Sequence, residues 1–478
     1  MKLAKNIILN TDSYKVSMFK QYPKGTTGVY SYIESRGGRY DRTVFFGLQA
    51  FIKEYLLEPI SQRDIDVADE ILTAHGVPFN REGWQYILDK HSGYLPVVIR
   101  AVPEGTVVPV KNVLATVENT DPKCFWLTTW LETSLLRAVW YPTTVATQSH
   151  KIREVILDYL EKTGDPTTID FKLHDFGARG VSSMESSAIG GASHLINFMG
   201  SDTISGVLFA REYYNAGISG FSIPAMEHST VTSWGREGEV DAYRNMLDQY
   251  AKPGAILACV SDSYDIFNAV ENLWGGELRQ QVIDSGATVV IRPDSGDPIV
   301  VCRKVVQALD KKFGHTVNDK GFKVLNNVRI IQGDGVNEHT IRMILGDFTV
   351  YGYSADNIAF GMGGALLQQL DRDTQQFAMK CSSVGITNRW EDGDHGSGWK
   401  TEWVDVQKDP VTDSGKKSKA GRVMLWTSGG EYASSVGMPM GWTDKGIGGW
   451  VPALKEVYRD GRLVKEITFD EVRANARK

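Results

Sequence analysis

Six apolar runs between Phe171 and Gly364 each end in a burst of polar residues, and this rhythm restricts the fold more than any other feature. They read FKLHDFGARG from Phe171, FSIPAMEHS from Phe221, AILACVSDSYD from Ala255, TVVIRPDSGD from Thr288, VRIIQGDG from Val328 and NIAFGMGG from Asn357. A run of about four to eight β-branched or apolar residues reads as a strand buried on both faces. Recurring roughly every 30 to 50 residues with helix-compatible stretches between, such strands predict βαβ units and a parallel sheet. In an α/β barrel the functional groups sit at the carboxyl ends of the strands. His174, Asp175, Glu227, His228, Asp262, Arg292, Asp294, Asp334 and Gly363 all fall at such ends, which is the layout of one shared site.

At 478 residues the chain is long enough for two or three domains. A net charge of −6 and a pI near 5.9 argue against a nucleic-acid protein, which shows a basic footprint. No apolar stretch reaches the length that spans a bilayer, and the first residues lack a signal-peptide pattern. Cys124, Cys259, Cys302 and Cys381 are scattered without CxxC spacing and read as reduced thiols, so a cytoplasmic protein is expected.

Residues 1 to about 150 mix strands, such as TTGVYSYIESR from Thr26, with amphipathic helical spacing from Thr43 to about Lys90. The strand-and-polar-end units occupy 151–375. The segment 376–478 is polar and glycine-rich as far as Gly421, then returns to short strands and a charged terminal helix. The expected architecture is a central α/β barrel flanked by a β-rich domain built from both ends of the chain.

Asp262, Asp294 and Asp334 close three successive strands, so a barrel brings them to one rim. Such carboxylates can hold Mg²⁺ or hydrogen-bond a ribose diol, or each can cap the helix that follows it. GMGGALLQQL opens a helix after a late strand, where Gly363 and Gly364 let backbone N–H groups approach a phosphate. Arg36, Arg179, Arg292, Arg372, Lys380, Lys408 and Lys416 could supply charge-assisted contacts to a di- or triphosphate. His228, beside Glu227, suits a phosphate contact, an acid or a nucleophile. No HExxH, GxSxG or GxxxxGK[ST] pattern is present.

Together these motifs resemble the nicotinamide phosphoribosyltransferase family, of the type II phosphoribosyltransferase group. The resemblance runs through TDSYK, VYSYIESR, TVFFGLQ, LPVVIRAVPEG, VENTDP, KLHDFGARGVSS, PAMEHST, VSDSYDI, IRPDSG, IQGDGV, IAFGMGG, MKCS, KDP and TFDE, nearly the whole chain. It implies an incomplete (β/α) barrel, and a homodimer with shared active sites. The implied reaction joins nicotinamide to 5-phosphoribosyl-1-pyrophosphate with Mg²⁺, stimulated by ATP through a phosphohistidine at His228. By the same resemblance Phe176 and the partner's Tyr14 would sandwich the nicotinamide ring, and Asp202 would accept a hydrogen bond from the carboxamide. Arg179, His228, Asp262, Arg292 and Asp294 would surround pyrophosphate, ribose and metal, with Asp262 and Asp294 as the metal ligands. Gly333 and Asp334 would meet the ribose hydroxyls. Gly363 and Gly364 would hold the 5′-phosphate, with Arg372 and Lys380 reaching over from the neighbouring subunit and Arg36 and Lys408 adding charge.

Three positions depart from the family pattern. Ala178 replaces a tyrosine, Ala365 a third glycine, and Ala378 a serine. Three other functions compete with this one. Nicotinate phosphoribosyltransferase shares the architecture, but Asp202 would repel its charged substrate. An inert nucleotide-binding dimer would have lost Asp262, Asp294 or His228, and all three are present. A lyase barrel would need a lysine or an acid/base pair at a strand end.

Overall fold

A computed structural model describes residues 5–392, 396–412, 417–437 and 445–478, so Lys416 lies outside the described residues. The chain forms two compact units. One comprises Met1–Thr147, Glu212–Ala216 and Asp371–Lys478; the other comprises Gln148–Arg211 and Gly217–Leu370. No helix among the described residues is long and apolar enough to cross a membrane.

The second unit is built on six parallel strands. These are β1 (Leu173–Asp175), β2 (Gly200–Ser201), β3 (Ile256–Val260), β4 (Thr288–Arg292), β5 (Val328–Gln332) and β6 (Ile358–Met362), in the order β2-β1-β6-β5-β4-β3. Every strand but β2 thus neighbours its successor in sequence, and β6 returns to β1, as βαβ units require. Among the described residues, the segment from Phe221 links the two edges of the sheet by isolated parallel bridges, Gly200 with Phe221 and Ala225 with Ala258. The result is the parallel α/β sheet that the apolar runs predict, in the incomplete barrel form that the family resemblance implies.

The run from Phe221 is the expected strand that does not form. Pro224 has no N–H to give to a ladder. The segment instead makes a few separate backbone bonds, among them Phe221 O accepting from Ser201 N–H at 3.0 Å and Pro224 O from Ala258 N–H at 2.9 Å. A two-residue strand, β2, stands beside β1. Its Gly200 is required there, because a Cβ would sit 2.7 Å from the His174 ring.

The loops after three strands repeat one arrangement. Asp265 accepts hydrogen bonds from the N–H groups of Phe267 and Asn268, and Asp297 from those of Ile299 and Val300, at the start of Pro298–Phe313. Asn337 does the same for the helix Glu338–Val350. Each cap lies three residues beyond a strand-end aspartate: Asp262, Asp294 and Asp334. The capping task falls to the later residue.

The first unit centres on a seven-stranded antiparallel sheet that draws strands from both ends of the chain. Its order is Gly396–Asp405, Phe377–Asp392, Thr26–Ser35, Val113–Asn119, Val97–Ala101, Lys455–Arg459 and Arg462–Leu463. The polar, glycine-rich stretch after Phe377 is therefore a long hairpin. Lys380 lies opposite Tyr32, and Ala378 opposite Glu34. Beside this sheet Trp84, Trp126 and Trp130 pack edge to face, with centroids 4.9, 5.1 and 5.6 Å apart.

Candidate active site

With the caps assigned elsewhere, Asp262 and Asp294 are available at the mouth of the barrel. The Asp262 side chain is only 5% exposed, and its Oδ1 lies 3.8 Å from His228 Nε2. Asp294 Oδ2 lies 3.7 Å from the same nitrogen and 3.5 Å from a terminal nitrogen of Arg292. Ser295 donates to Asp262 Oδ2 at 2.5 Å. Asp262 Oδ1 and Arg292 Nε are buried without a hydrogen-bond partner. Buried polar groups in a fold are nearly always partnered, and these two open polar atoms belong to residues that meet His228 and Asp294. The other His228 nitrogen, Nδ1, lies 3.2 Å from Ser263 Oγ, which fixes the ring plane.

A flat apolar platform faces the barrel axis nearby. Phe176 packs with Ala258, Val290, Ile331, Ile223 and Ala359, small aliphatic side chains from the inner wall. Its ring lies directly over Gly361, where a Cβ would stand 1.9 Å from Cε2. Gly333 lies beneath the same ring and against Asp294 Oδ1, at 3.6 and 3.2 Å from a would-be Cβ. The turn carrying Phe176 is pinned by its own N–H bonding Met362 O at 3.0 Å, and by Asp175 Oδ1 accepting the Gly177 N–H at 2.7 Å. Burial pushes the Asp175 carboxyl up to about 6, and it lowers His174 on the preceding position. At the end of β2, Asp202 is exposed, and Ser222 donates to its Oδ1 at 2.5 Å.

The structure brings His228, Asp262, Arg292 and Asp294 into direct contact, and Phe176 and Gly333 adjoin them. Arg179 is exposed on the turn Ala178–Gly180, where a Cβ on Gly180 would sit 3.4 Å from Gly364 N. Gly363 faces the Phe176 carbonyl, its would-be Cβ 3.6 Å from that oxygen. The carboxylate of Asp334 is exposed and pairs with no side chain among the described residues, so of the three strand-end aspartates it stands apart. Ser222, Ser263, Ser295 and Gly361 were not singled out by sequence. Only Ser263 and Ser295 left a trace there, as the residue after each aspartate in SDSYD and PDSGD.

The remaining expected residues belong to the first unit and are described within it. Tyr14 is exposed, with the Lys15 ammonium 4.9 Å from its ring centroid. Arg36 bonds Glu34 at 3.3 Å, yet one of its terminal nitrogens is buried without a partner. Burial lowers the Lys380 ammonium below the usual lysine range; Glu132 opposes this, and the nearby cations Arg36, Lys15 and Lys408 add to it. Lys380, Arg36 and Lys408 therefore form one basic cluster. Arg372 lies outside it, exposed and paired with Asp373 at 2.9 Å.

The barrel geometry and this residue set have close relatives. The profile of the nicotinate phosphoribosyltransferase (NAPRTase) family matches residues 171–462, and that of the nicotinamide phosphoribosyltransferase N-terminal domain matches 6–99. A nicotinamide phosphoribosyltransferase of Xanthomonas campestris pv. campestris is 54% identical over 475 residues, covering 98% of both chains. The chain belongs to the nicotinamide phosphoribosyltransferase family. A second such enzyme, from Acinetobacter baylyi, is 31% identical over 97% of this chain and 95% of its own. Among solved structures, the fold is similar to a nicotinate-nucleotide pyrophosphorylase from Pyrococcus furiosus. That match has a TM-score of 0.62 at 17% identity, over 100% of this chain and 96% of the other. It is also similar to human nicotinic acid phosphoribosyltransferase, with a TM-score of 0.52 at 16% identity over 98% and 92% of the two chains. The likenesses to these solved structures show the fold.

Proposed function

We propose that this phosphoribosyltransferase transfers the phosphoribosyl group of 5-phosphoribosyl-1-pyrophosphate to nicotinamide, giving nicotinamide mononucleotide and pyrophosphate in NAD salvage. The observation that carries the reading is the Phe176 platform, Asp202 at the end of β2, and the Asp262, Asp294, Arg292, His228 cluster, with Gly333 between Phe176 and Asp294. The pyridine nitrogen attacks the anomeric carbon, forming the N–C1′ bond while the C1′–O bond breaks and its electron pair leaves on pyrophosphate. Positive charge develops on the ribose as negative charge grows on the leaving group, so cationic donors there lower the barrier. Arg292, with a free buried nitrogen, and Arg179 serve that charge, and no general base is needed for a ring-nitrogen nucleophile. Asp262 and Asp294 fit Mg²⁺, since their oxygens are the hard donors it prefers and Asp262 Oδ1 has no other partner. Bound there, the ion would supply further charge for the departing pyrophosphate. Gly333 and Asp334 meet the ribose hydroxyls, and Gly363 and Gly364 the 5′-phosphate.

Asp202 selects the base. Its carboxylate accepts from the carboxamide NH₂, a charged hydrogen bond of about 1.5–3 kcal/mol, and repels the carboxylate of nicotinate. The Xanthomonas and Acinetobacter relatives carry the nicotinamide name, which supports the amide. The enzyme works in the cytoplasm as a homodimer. Tyr14 of one subunit covers the ring on the Phe176 of the other, and Arg36, Arg372, Lys380 and Lys408 bring charge to the phosphates. The exposed Tyr14 ring and the orphaned Arg36 nitrogen support a site completed from a second copy.

Turnover of nicotinamide and nicotinate, measured in parallel with 5-phosphoribosyl-1-pyrophosphate and Mg²⁺, tests the reading. Mononucleotide from the amide is expected, and product from the acid alone would overturn the specificity. In Asp202→Ala the ratio of the two kcat/KM values should collapse by about tenfold or more. His228 accepts the γ-phosphoryl group of ATP, with ADP leaving, a role that its nearness to Ser263 and the two aspartates supports. His228→Ala should therefore abolish ATP stimulation of turnover while slow ATP-independent synthesis persists. Stimulation that survives the substitution rules out this role.

A further inference from the structure

We propose that Ser222 is a specificity-determining positioning residue: it holds the Asp202 carboxylate in the orientation that receives a carboxamide. The inference rests on the reading above in which Asp202 meets the amide. An aspartate carboxylate turns about a broad, weakly preferred torsion, so its own chain does not set the direction of its two oxygens. Here Ser222 Oγ donates to Oδ1 at 2.5 Å, while Oδ2 has no hydrogen-bond partner among the described residues. One oxygen is thereby occupied and the other is left, at a fixed angle, for an incoming N–H.

Both backbones are anchored, which keeps the hydroxyl and the carboxylate within reach of one another. Ser222 lies between Phe221, whose N–H bonds Met199 O at 2.7 Å and whose carbonyl accepts Ser201 N–H, and Pro224, whose carbonyl accepts Ala258 N–H at 2.9 Å. Met226 N–H closes the segment on Ala258 O at 3.0 Å. On the other side Asp202 N–H bonds Asp175 O at 3.0 Å, tying it to β1. This explains what the Phe221 segment does in the barrel. Lacking a strand's ladder because of Pro224, it still spans the gap between β2 and β3 and presents one hydroxyl to Asp202.

Removing that hydroxyl frees the carboxylate to rotate. The amide then loses a preset acceptor, and the acid no longer meets a negatively charged oxygen held in its path. In Ser222→Ala the kcat/KM for nicotinamide should fall about tenfold, with the loss in KM, because Phe176 still seats the ring. The kcat/KM for nicotinate should hold or rise, so the amide-to-acid ratio falls at least about tenfold. Ser222→Thr, which keeps the hydroxyl, should restore the ratio. A Ser222→Ala enzyme with the wild-type ratio, or a parallel loss of kcat with both bases, overturns the proposal. So does a Ser222→Thr enzyme as unselective as the alanine variant, a result readable even if Ser222→Ala fails to fold. Asp202→Ala measured alongside separates the two ideas. If it leaves the ratio unchanged, the Asp202 reading itself is wrong; if it collapses the ratio and Ser222→Ala does not, only the role of Ser222 falls.

Discussion

Asp262→Asn should leave a folded enzyme whose kcat/KM is lower by about 10²–10³, the scale on which a single preorganised charge at a reacting centre acts. The asparagine oxygen can still accept from Ser295, so the contact at 2.5 Å survives. What disappears is a negative charge on a side chain that is only 5% exposed, with one oxygen orphaned beside His228. Burying such a charge with one oxygen lacking a hydrogen bond opposes folding. The melting temperature should therefore stay level or rise as turnover collapses. Asp265→Ala makes the contrast. Asp265 accepts two backbone N–H groups at the start of a helix, so losing it costs about 0.5–2 kcal/mol of stability while kcat/KM changes little. Thermal melts and turnover of the two variants, compared side by side, check the division of labour. An Asp262→Asn enzyme within about fivefold of wild type would remove Asp262 from the chemistry, and with it the case for a metal there.

That division shows what the sequence could and could not reveal. The apolar runs marked β3, β4, β5 and β6, because a strand buried on both faces is largely apolar, whereas β1, Leu173–Asp175, carries His174 and Asp175 and was marked by its place in the rhythm. They also placed His228, Asp262, Arg292 and Asp294 on one rim, since carboxyl ends of parallel strands point one way. The capping aspartates Asp265 and Asp297 were legible in principle, three residues after Asp262 and Asp294, but they stand in the same polar bursts and looked alike. β2 escaped notice because two residues, one of them Gly200, carry no periodicity; the glycine answers to the His174 ring, a tertiary contact. The Phe221 run has the apolarity of a strand, but Pro224 has no N–H for a ladder. Asp334 shares the position of the other two aspartates along its strand but not their contacts, since strand-end spacing fixes where a Cα lies and not where its carboxylate turns. Ser222 reaching Asp202 and Phe176 lying on Gly361 join residues 20 and 185 positions apart, and no local pattern encodes such pairs.

Gly361→Ala should raise the KM for nicotinamide about tenfold and lower stability by about 1–3 kcal/mol, the usual penalty for overpacking a filled core. The added Cβ would stand 1.9 Å from Phe176 Cε2, 2.2 Å from Cδ2 and 2.7 Å from Cζ, distances at which something must move. Gly361 is central in β6, paired with His174 of β1, so its backbone cannot withdraw. The Phe176 backbone is equally held, by its N–H to Met362 O at 3.0 Å and by the Asp175 clasp on Gly177 N–H at 2.7 Å. The ring must therefore swing off the barrel wall, and with it goes the face on which nicotinamide stacks. A stacked pair contributes roughly 0.5–1.5 kcal/mol beyond burial, and losing the buried ring face as well brings the total to about tenfold. Phe176→Leu in the Gly361→Ala background separates steric strain from lost stacking. The smaller side chain should recover most of the stability, giving strongly non-additive melting behaviour for two residues in contact. Nicotinamide KM should stay high in the double variant, because leucine offers no aromatic face. If Gly361→Ala instead binds nicotinamide as well as the parent enzyme, the ring of the substrate does not lie on Phe176. If Phe176→Leu alone leaves KM unchanged, the platform serves packing within the barrel and the base is held by Asp202 without it.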